Sequence, residues 1–235
     1  ALKTADRHVF FKYMVKTLAE RDGMRATFMP KPFRNLTGNG CHIHASVWDL
    51  DGKVNLFEDP KGELGLSDLA YSFLGGVMDN TNALAAIFTP TVNSYKRINA
   101  PRTTSGATWA PNSISYTGNN RTHMIRIPDS NRLELRLMDG AINPYLAQAA
   151  VLLLGLDGVN NKKDPGRRLD INMYTEGHKV RGLKKLPLNL LDAIRLFEKN
   201  KTIRAGFGDD LVNGYTRMKY EEWNRFCANV TFWYR

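Results

Sequence analysis

The stretch Gly38-Asn39-Gly40-Cys41-His42-Ile43-His44-Ala45-Ser46 constrains this chain more than any other. Cys41 to Val47 reads as a strand, along which side chains alternate between the two faces of a sheet. Cys41, Ile43, Ala45 and Val47 then form one face, small and apolar enough for a core. His42, His44 and Ser46 form the other, with successive members about 7 Å apart. Histidine is the commonest metal ligand among side chains. Glycines ahead of a strand let backbone approach a ligand and offer it amide donors. Spacing alone leaves two readings open, a ligand site or two hydrogen-bonded histidines on a sheet face.

Charge narrows the partners. The 235 residues suffice for one large domain or two small ones, and 43% hydrophobic content suits a packed core. The formal net charge of +10 fits nucleic acid, an acidic membrane surface, or small substrates rich in phosphate and carboxylate. The arginines stand singly between apolar neighbours, which favours anion pockets over a nucleic-acid face. No apolar run reaches the roughly 18 residues of a membrane span, so neither nucleic acid nor membrane is expected as a partner. Cys41 and Cys227 lie far apart without metal-ligand spacing, consistent with a reducing compartment. A start at Ala1-Leu2-Lys3 without Met suggests a fragment.

Periodicity predicts an amphipathic helix over 4–20, with Phe10, Tyr13, Met14, Thr17 and Leu18 repeating at helical spacing as its stripe. Met24 to Met29 reads as a strand halted by Pro30 and Pro32. A helix is expected over 67–88, capped by Ser67 and interrupted at Gly75-Gly76. Asn93 to Arg97 opens a long polar loop to Pro111. Asn143-Pro144 starts a core helix ending near Gly155. Another amphipathic helix covers 188–198, and 182–235 is expected to be helical and structural, with Trp223 and Trp233 packing. Two further strands carry charge on one face. Arg126 stands between Ile125 and Ile127. In Arg132-Leu133-Glu134-Leu135-Arg136 a period of two places Arg132, Glu134 and Arg136 opposite the leucines. That face reads either as a surface salt-bridge ladder worth little or as a metal-ligand glutamate beside anion-binding arginines.

Several motifs in order resemble the catalytic domain of the glutamine synthetases. They are Ala26-Thr27-Phe28-Met29-Pro30-Lys31-Pro32, Gly38 to Ser46, Asn93-Ser94-Tyr95-Lys96-Arg97, Asn119-Asn120-Arg121, Ile125 to Pro128, Arg132 to Arg136 and Asn143-Pro144-Tyr145-Leu146. The resemblance implies an α+β fold, with a curved, mostly antiparallel sheet forming half of a barrel-like site and helices behind it. It implies that 1–235 is one partial catalytic domain, lacking the small N-terminal domain and the upstream strands that carry further metal-binding glutamates. The implied activity is ATP-dependent ligation of ammonia to the γ-carboxylate of L-glutamate through γ-glutamyl phosphate, with Mg²⁺ or Mn²⁺ holding the phosphates. By motif, His42 and Glu134 look like ligands of one ion. His44, Ser46, Arg126 and Arg132 look nucleotide-facing, and Arg121 catalytic on the transferring phosphoryl group. Arg97 and Arg136, helped by backbone near Thr37 and Gly38, look like the clamp on glutamate. The family assembles as stacked rings, so a large homo-oligomer, a dodecamer, is expected in the cytoplasm.

The stretch from Ile98 to Pro111 departs from ordinary members. It contains no carboxylate and places Trp109 ahead of Ala110-Pro111. This resembles the divergent, type III-like branch that includes the γ-glutamylmethylamide synthetases, and it favours an alkylamine such as methylamine as the alternative nucleophile. A further alternative is a non-catalytic scaffold of the same family.

Overall fold

The computed structural model describes residues 1–100, 109–129 and 131–230. Most of the predicted polar loop (101–108) and Trp233 lie outside them. The helices begin where short polar side chains can hold the first free amides. Helix α1 spans Leu2–Arg21, and α2 spans Asp68–Phe88 behind Ser67, whose hydroxyl accepts from the Ala70 amide at 3.2 Å. Helix α3, Val92–Ile98, opens on a reciprocal Thr91–Ser94 capping box. Helix α4 is Pro144–Asn160 behind Asn143, α5 Leu190–Lys199 behind Asn189, α6 Lys201–Phe207 behind Asn200, and α7 Asp209–Cys227.

Four short strands form an open sheet: β1 Ile43–Ala45, β2 Tyr116–Thr117, β3 Ile125–Arg126 and β4 Leu133–Leu135. Their order is β1-β4-β3-β2. β1 and β3 run antiparallel to β4, and β2 runs parallel to β3. The mixed α+β architecture expected from the motifs is therefore present, with strands shorter than the alternation suggested. Pairing along β1 persists outside the ladder in a Gly40–Asp139 bridge and a Cys41 amide to Met138 carbonyl bond of 3.0 Å.

Other departures have specific causes. Met24 to Met29 forms no strand. Asn39 donates from its side chain to the Met29 carbonyl and from its amide to the Pro30 carbonyl, both at 2.8 Å, so the glycine loop occupies acceptors that a partner strand would use. Asn93 to Ile98 is helical, because the capping box nucleates a turn that composition alone did not reveal. The stripe of α1 is exposed: Phe10 is 63% and Tyr13 67% accessible. The helix docks instead through Ala5, His8 and Lys12, one face at helical spacing. Lys12 Nζ donates to the Gly140 carbonyl at 2.6 Å.

Gly75-Gly76 does not interrupt α2, and Gly155 does not end α4. Both helices run through, because these glycines are where they cross. A methyl group on Gly76 would overlap the Leu154 carbonyl, one on Gly158 the Ser72 carbonyl, and one on Gly155 the Phe73 ring. Leu74, Leu84, Leu154, Ala193 and Ile194 fill the core between α2, α4 and α5, and Leu133 and Leu135 bring in the inner face of the sheet. Gly76→Val should destabilise the protein by about 3 kcal/mol or more through overpacking against backbone. Gly214→Ala, in α7 with open space around it, should stabilise by about 0.5–1 kcal/mol. Urea denaturation of the two variants checks both signs.

Candidate active site

The alternation read along the histidine strand is present in the burial pattern. His42, His44, Ser46 and Trp48 are exposed, and Cys41, Ile43, Ala45 and Val47 are half-buried against the core. Register then brings the charged faces together. Ile43 pairs with Leu135, His44 with Glu134 and Ala45 with Leu133, while Arg126 pairs with Glu134 across β3–β4. Directly opposed residues share a face. The chemistry-bearing side chains of three strands therefore emerge on one side and the leucines on the other.

Glu134 is the centre, only 3% exposed. Its Oε1 lies 3.0 Å from His42 Nδ1 and accepts from Arg136 Nη1 at 2.7 Å, and its Oε2 accepts from Arg126 Nη1 at 2.6 Å. Of the two readings of the charged strand, a solvated ladder is excluded by this burial. Burial pushes the Glu134 carboxyl up, but the Arg126 hydrogen bond and the Arg136 charge outweigh it and hold the group below its ordinary value. His42 moves the other way. Burial first, then the Arg136 charge, lowers its pKa to about 4 against the pull of Glu134. At neutral pH the pair is an ionised carboxylate beside a neutral imidazole.

The remaining predicted residues fall around this centre. Arg126 is held by Asn119 Oδ1, which accepts from Nε at 2.9 Å and from Nη2 at 2.6 Å. Arg121 is exposed in the same loop between β2 and β3. Arg132 Nε donates to His44 Nδ1 at 3.1 Å, and Ser46 Oγ accepts from Trp48 Nε1 at 2.9 Å. Arg97, at the end of α3, is 4% exposed and donates to the Leu137 carbonyl at 2.8 Å and the Arg136 carbonyl at 3.3 Å. Arg136 is also buried. Its Nη2 reaches the Trp109 carbonyl at only 3.5 Å and its Nε has no partner, leaving donor capacity unspent.

The glycine loop lies over this set. A methyl group on Gly40 would stand 3.0 Å from His42 Nε2 and 3.1 Å from Arg97 Nη2, and Gly38 packs onto the Pro30 carbonyl and the Arg97 stem. Thr37 is exposed at the loop's start. Asn93 and Lys31 clamp the loop to α3, each backbone or side-chain amide answering the other at 2.7 and 3.0 Å. Lys31 Nζ also reaches the Leu36 carbonyl.

Sequence reasoning missed three positioning groups. Asn119 was visible only as part of a motif. Asp139, fully buried beside Arg97 and accepting from the Ala141 amide at 2.9 Å, left a trace only as an acid in an apolar run. The Trp109 carbonyl left none, since backbone geometry carries it; Trp109 sits at φ 53.

The donor set suits a hard or borderline divalent cation. Two donors about 2.1 Å from an octahedral Mg²⁺, at right angles, lie about 3.0 Å apart, which is the separation of His42 Nδ1 and Glu134 Oε1. No group of three or more His, Cys, Asp or Glu residues that could hold a metal ion occurs among the described residues, so these two side chains alone could fill only part of a coordination sphere.

On the outer face of the small sheet, then, a buried carboxylate stands among guanidiniums next to a neutral imidazole. The family model for the glutamine synthetase catalytic domain matches residues 1–235, and the chain belongs to that family. It is 60% identical over 233 residues to a glutamine synthetase of Rhizobium meliloti, covering 99% of this chain and 54% of the relative. It is 46% identical over 238 residues to a glutamate–methylamine ligase of Methyloversatilis universalis, covering 99% of this chain and 53% of that protein. A solved structure described as a GmaS/ADP complex superposes with a TM-score of 0.92 at 59% identity, covering 98% of this chain and 53% of that one. The chain thus spans about half the length of the curated relatives it matches.

Because the folded-state pKa of His42 lies below the ordinary value, the unfolded chain binds its proton first as pH falls. Stability from this group is present above about 6.5 and declines towards pH 4. NMR titration of the metal-free protein should show a His42 midpoint near 4. A His42→Asn variant should lose part of the acid sensitivity between those limits.

Proposed function

We propose that this chain is the catalytic domain of an ATP-dependent ligase that joins an amine to the γ-carboxylate of L-glutamate, with ammonia as the amine. The observation that carries the reading is the 3.0 Å approach of His42 Nδ1 to Glu134 Oε1 inside a ring of guanidiniums. Mg²⁺ or Mn²⁺, when bound there, would neutralise phosphate charge and align the terminal phosphoryl group. His42 and Glu134 would hold that ion.

The chain's own residues supply the rest. Phosphoryl transfer depends chiefly on positioning and on offsetting the charge of the transferring group. Arg126, steadied by Asn119, presents a fixed fork to ATP phosphates, with His44, Ser46 and Arg132 along the nucleotide. Arg121, on the exposed loop beside Arg126, would swing against the phosphoryl group as glutamate becomes γ-glutamyl phosphate. Amine attack then forms the amide and releases phosphate. Arg136, with its unspent donors, would grip the glutamate carboxylate, since planar guanidinium matches carboxylate bidentately. Arg97 would support it from behind, with backbone near Thr37 and Gly38 closing over the substrate. A homo-oligomer of stacked rings in the cytoplasm fits the family.

A second reading has methylamine as the nucleophile. It is favoured by Trp109, half-exposed with its carbonyl towards Arg136, and by the carboxylate-free sequence from Ile98 to Pro111.

In the full-length protein, Glu134→Gln should lower kcat/KM for ligation at least 100-fold and raise the Mg²⁺ concentration needed for half activity. Residues 1–235 alone should be inactive. Comparing kcat/KM for ammonium and methylamine decides between the two readings. A full-length protein that hydrolyses no ATP with either amine would be a scaffold instead.

A further inference from the structure

The loop from Gly118 to Met124 joins β2 to β3 and serves the catalytic face at two points. Asn119 holds Arg126, and Arg121 stands exposed in the turn. Arg121 forms no ion pair or hydrogen bond among the described residues, so its aim depends on the backbone beneath it. The side chains around it are spent on a neighbouring segment. Residues 169–173 run beside β2, where the Leu169 amide donates to the Tyr116 carbonyl at 3.3 Å and the Thr117 hydroxyl donates to Asp170.

Asn120, Thr122 and His123 all bind the backbone of that segment. The Ile171 carbonyl accepts from Asn120 Nδ2 and from His123 Nε2, both at 3.0 Å, and the Met173 amide donates to Thr122 Oγ1 at 3.0 Å. Asn120 Oδ1 also accepts from the Thr122 amide at 3.0 Å and the Thr122 hydroxyl at 2.8 Å, which closes the turn around Arg121. His123 is the buried member. It is fully enclosed, and its Nδ1 has no partner among the described residues. A carbonyl can only accept, so Nε2 carries the ring proton. Burial lowers the His123 pKa against the pull of the Ile171 carbonyl and Asp170, and the imidazole is neutral at pH 7. Burying an imidazole with one unanswered nitrogen costs free energy that an apolar side chain of the same size would not. The bond to Ile171 is what the histidine supplies in return, and it falls two residues from Arg121.

We propose that His123 is a positioning residue for Arg121: with Asn120 and Thr122 it latches the loop to residues 171–173 and fixes the backbone from which the guanidinium reaches the transferring phosphoryl group. The inference rests on the ligase reading of Arg121. Arg121 would act on the phosphoryl group only as it transfers, so a loosened latch lowers kcat and kcat/KM together and spares KM. In the full-length protein, His123→Phe, which keeps a flat ring without the donor, should lower kcat for ligation at least tenfold and leave KM for ATP and glutamate within about twofold. His123→Gln, whose side-chain amide can donate to the same carbonyl, should recover most of the lost rate. Thr122→Val cuts the latch at a second point and should act in the same direction, which keeps the test open if His123→Phe fails to fold. Hydrogen exchange in the ligand-free protein gives a readout independent of turnover. The amides of residues 121–123 should exchange at least fivefold faster in the Phe variant and at close to the wild-type rate in the Gln variant. Unchanged exchange would overturn the proposal. So would unchanged kcat in both latch variants, equal losses in the Phe and Gln variants, or a rise in KM without a loss of kcat. Wild-type protein that forms no γ-glutamyl product would refute the ligase reading, and the exchange rates would still decide the latch.

Discussion

A carboxylate can stay ionised in a protein interior only if its neighbours replace the water it has lost. Glu134 meets that condition through Arg126, Arg136 and His42. The dependence runs both ways. Two guanidiniums brought this close would repel without the carboxylate between them, and the Nδ1 side of His42 would lose the acceptor that orients it. Each member therefore fixes the others, and together they fix the register of β1, β4 and β3. A slip of one residue would turn the arginines into the leucine core.

Close backbone contact supplies the scaffold for that cluster. The glycine loop reaches Arg97 and His42 because no Cβ intervenes at Gly38 or Gly40. Arg97 in turn hydrogen-bonds the carbonyls of Arg136 and Leu137, so the end of α3 braces the strand that carries Glu134. Behind the sheet, the crossing of α2 and α4 uses the same device at Gly76, Gly155 and Gly158. Their contribution comes from shape: backbone passes backbone at a distance that any side chain would prevent.

Much of this was legible in advance. Period-two patterning separated His42, His44 and Ser46 from Cys41, Ile43, Ala45 and Val47, and Glu134 from Leu133 and Leu135. Helix starts at Ser67 and at Asn143-Pro144 followed from a capping hydroxyl and from proline in the first turn. The glycines were misread, since Gly75-Gly76 looks the same in sequence whether it breaks a helix or admits a neighbour. The apolar stripe of α1 likewise predicted a helix correctly, yet that stripe stays exposed in this chain while Ala5, His8 and Lys12 make the contact.

Local rules, then, settled which residues share a face and where helices begin, because alternation and capping act over two to four neighbouring positions. The grouping of the His, Glu and Arg residues into one site came from the ordered motifs and their resemblance to the family. What sequence left open was the distance between residues 92 positions apart. Whether His42 and Glu134 met at 3.0 Å or lay on separate walls was decided by strand register and by glycine crossings behind the sheet. Those are properties of packed surfaces that no local stretch of the chain contains.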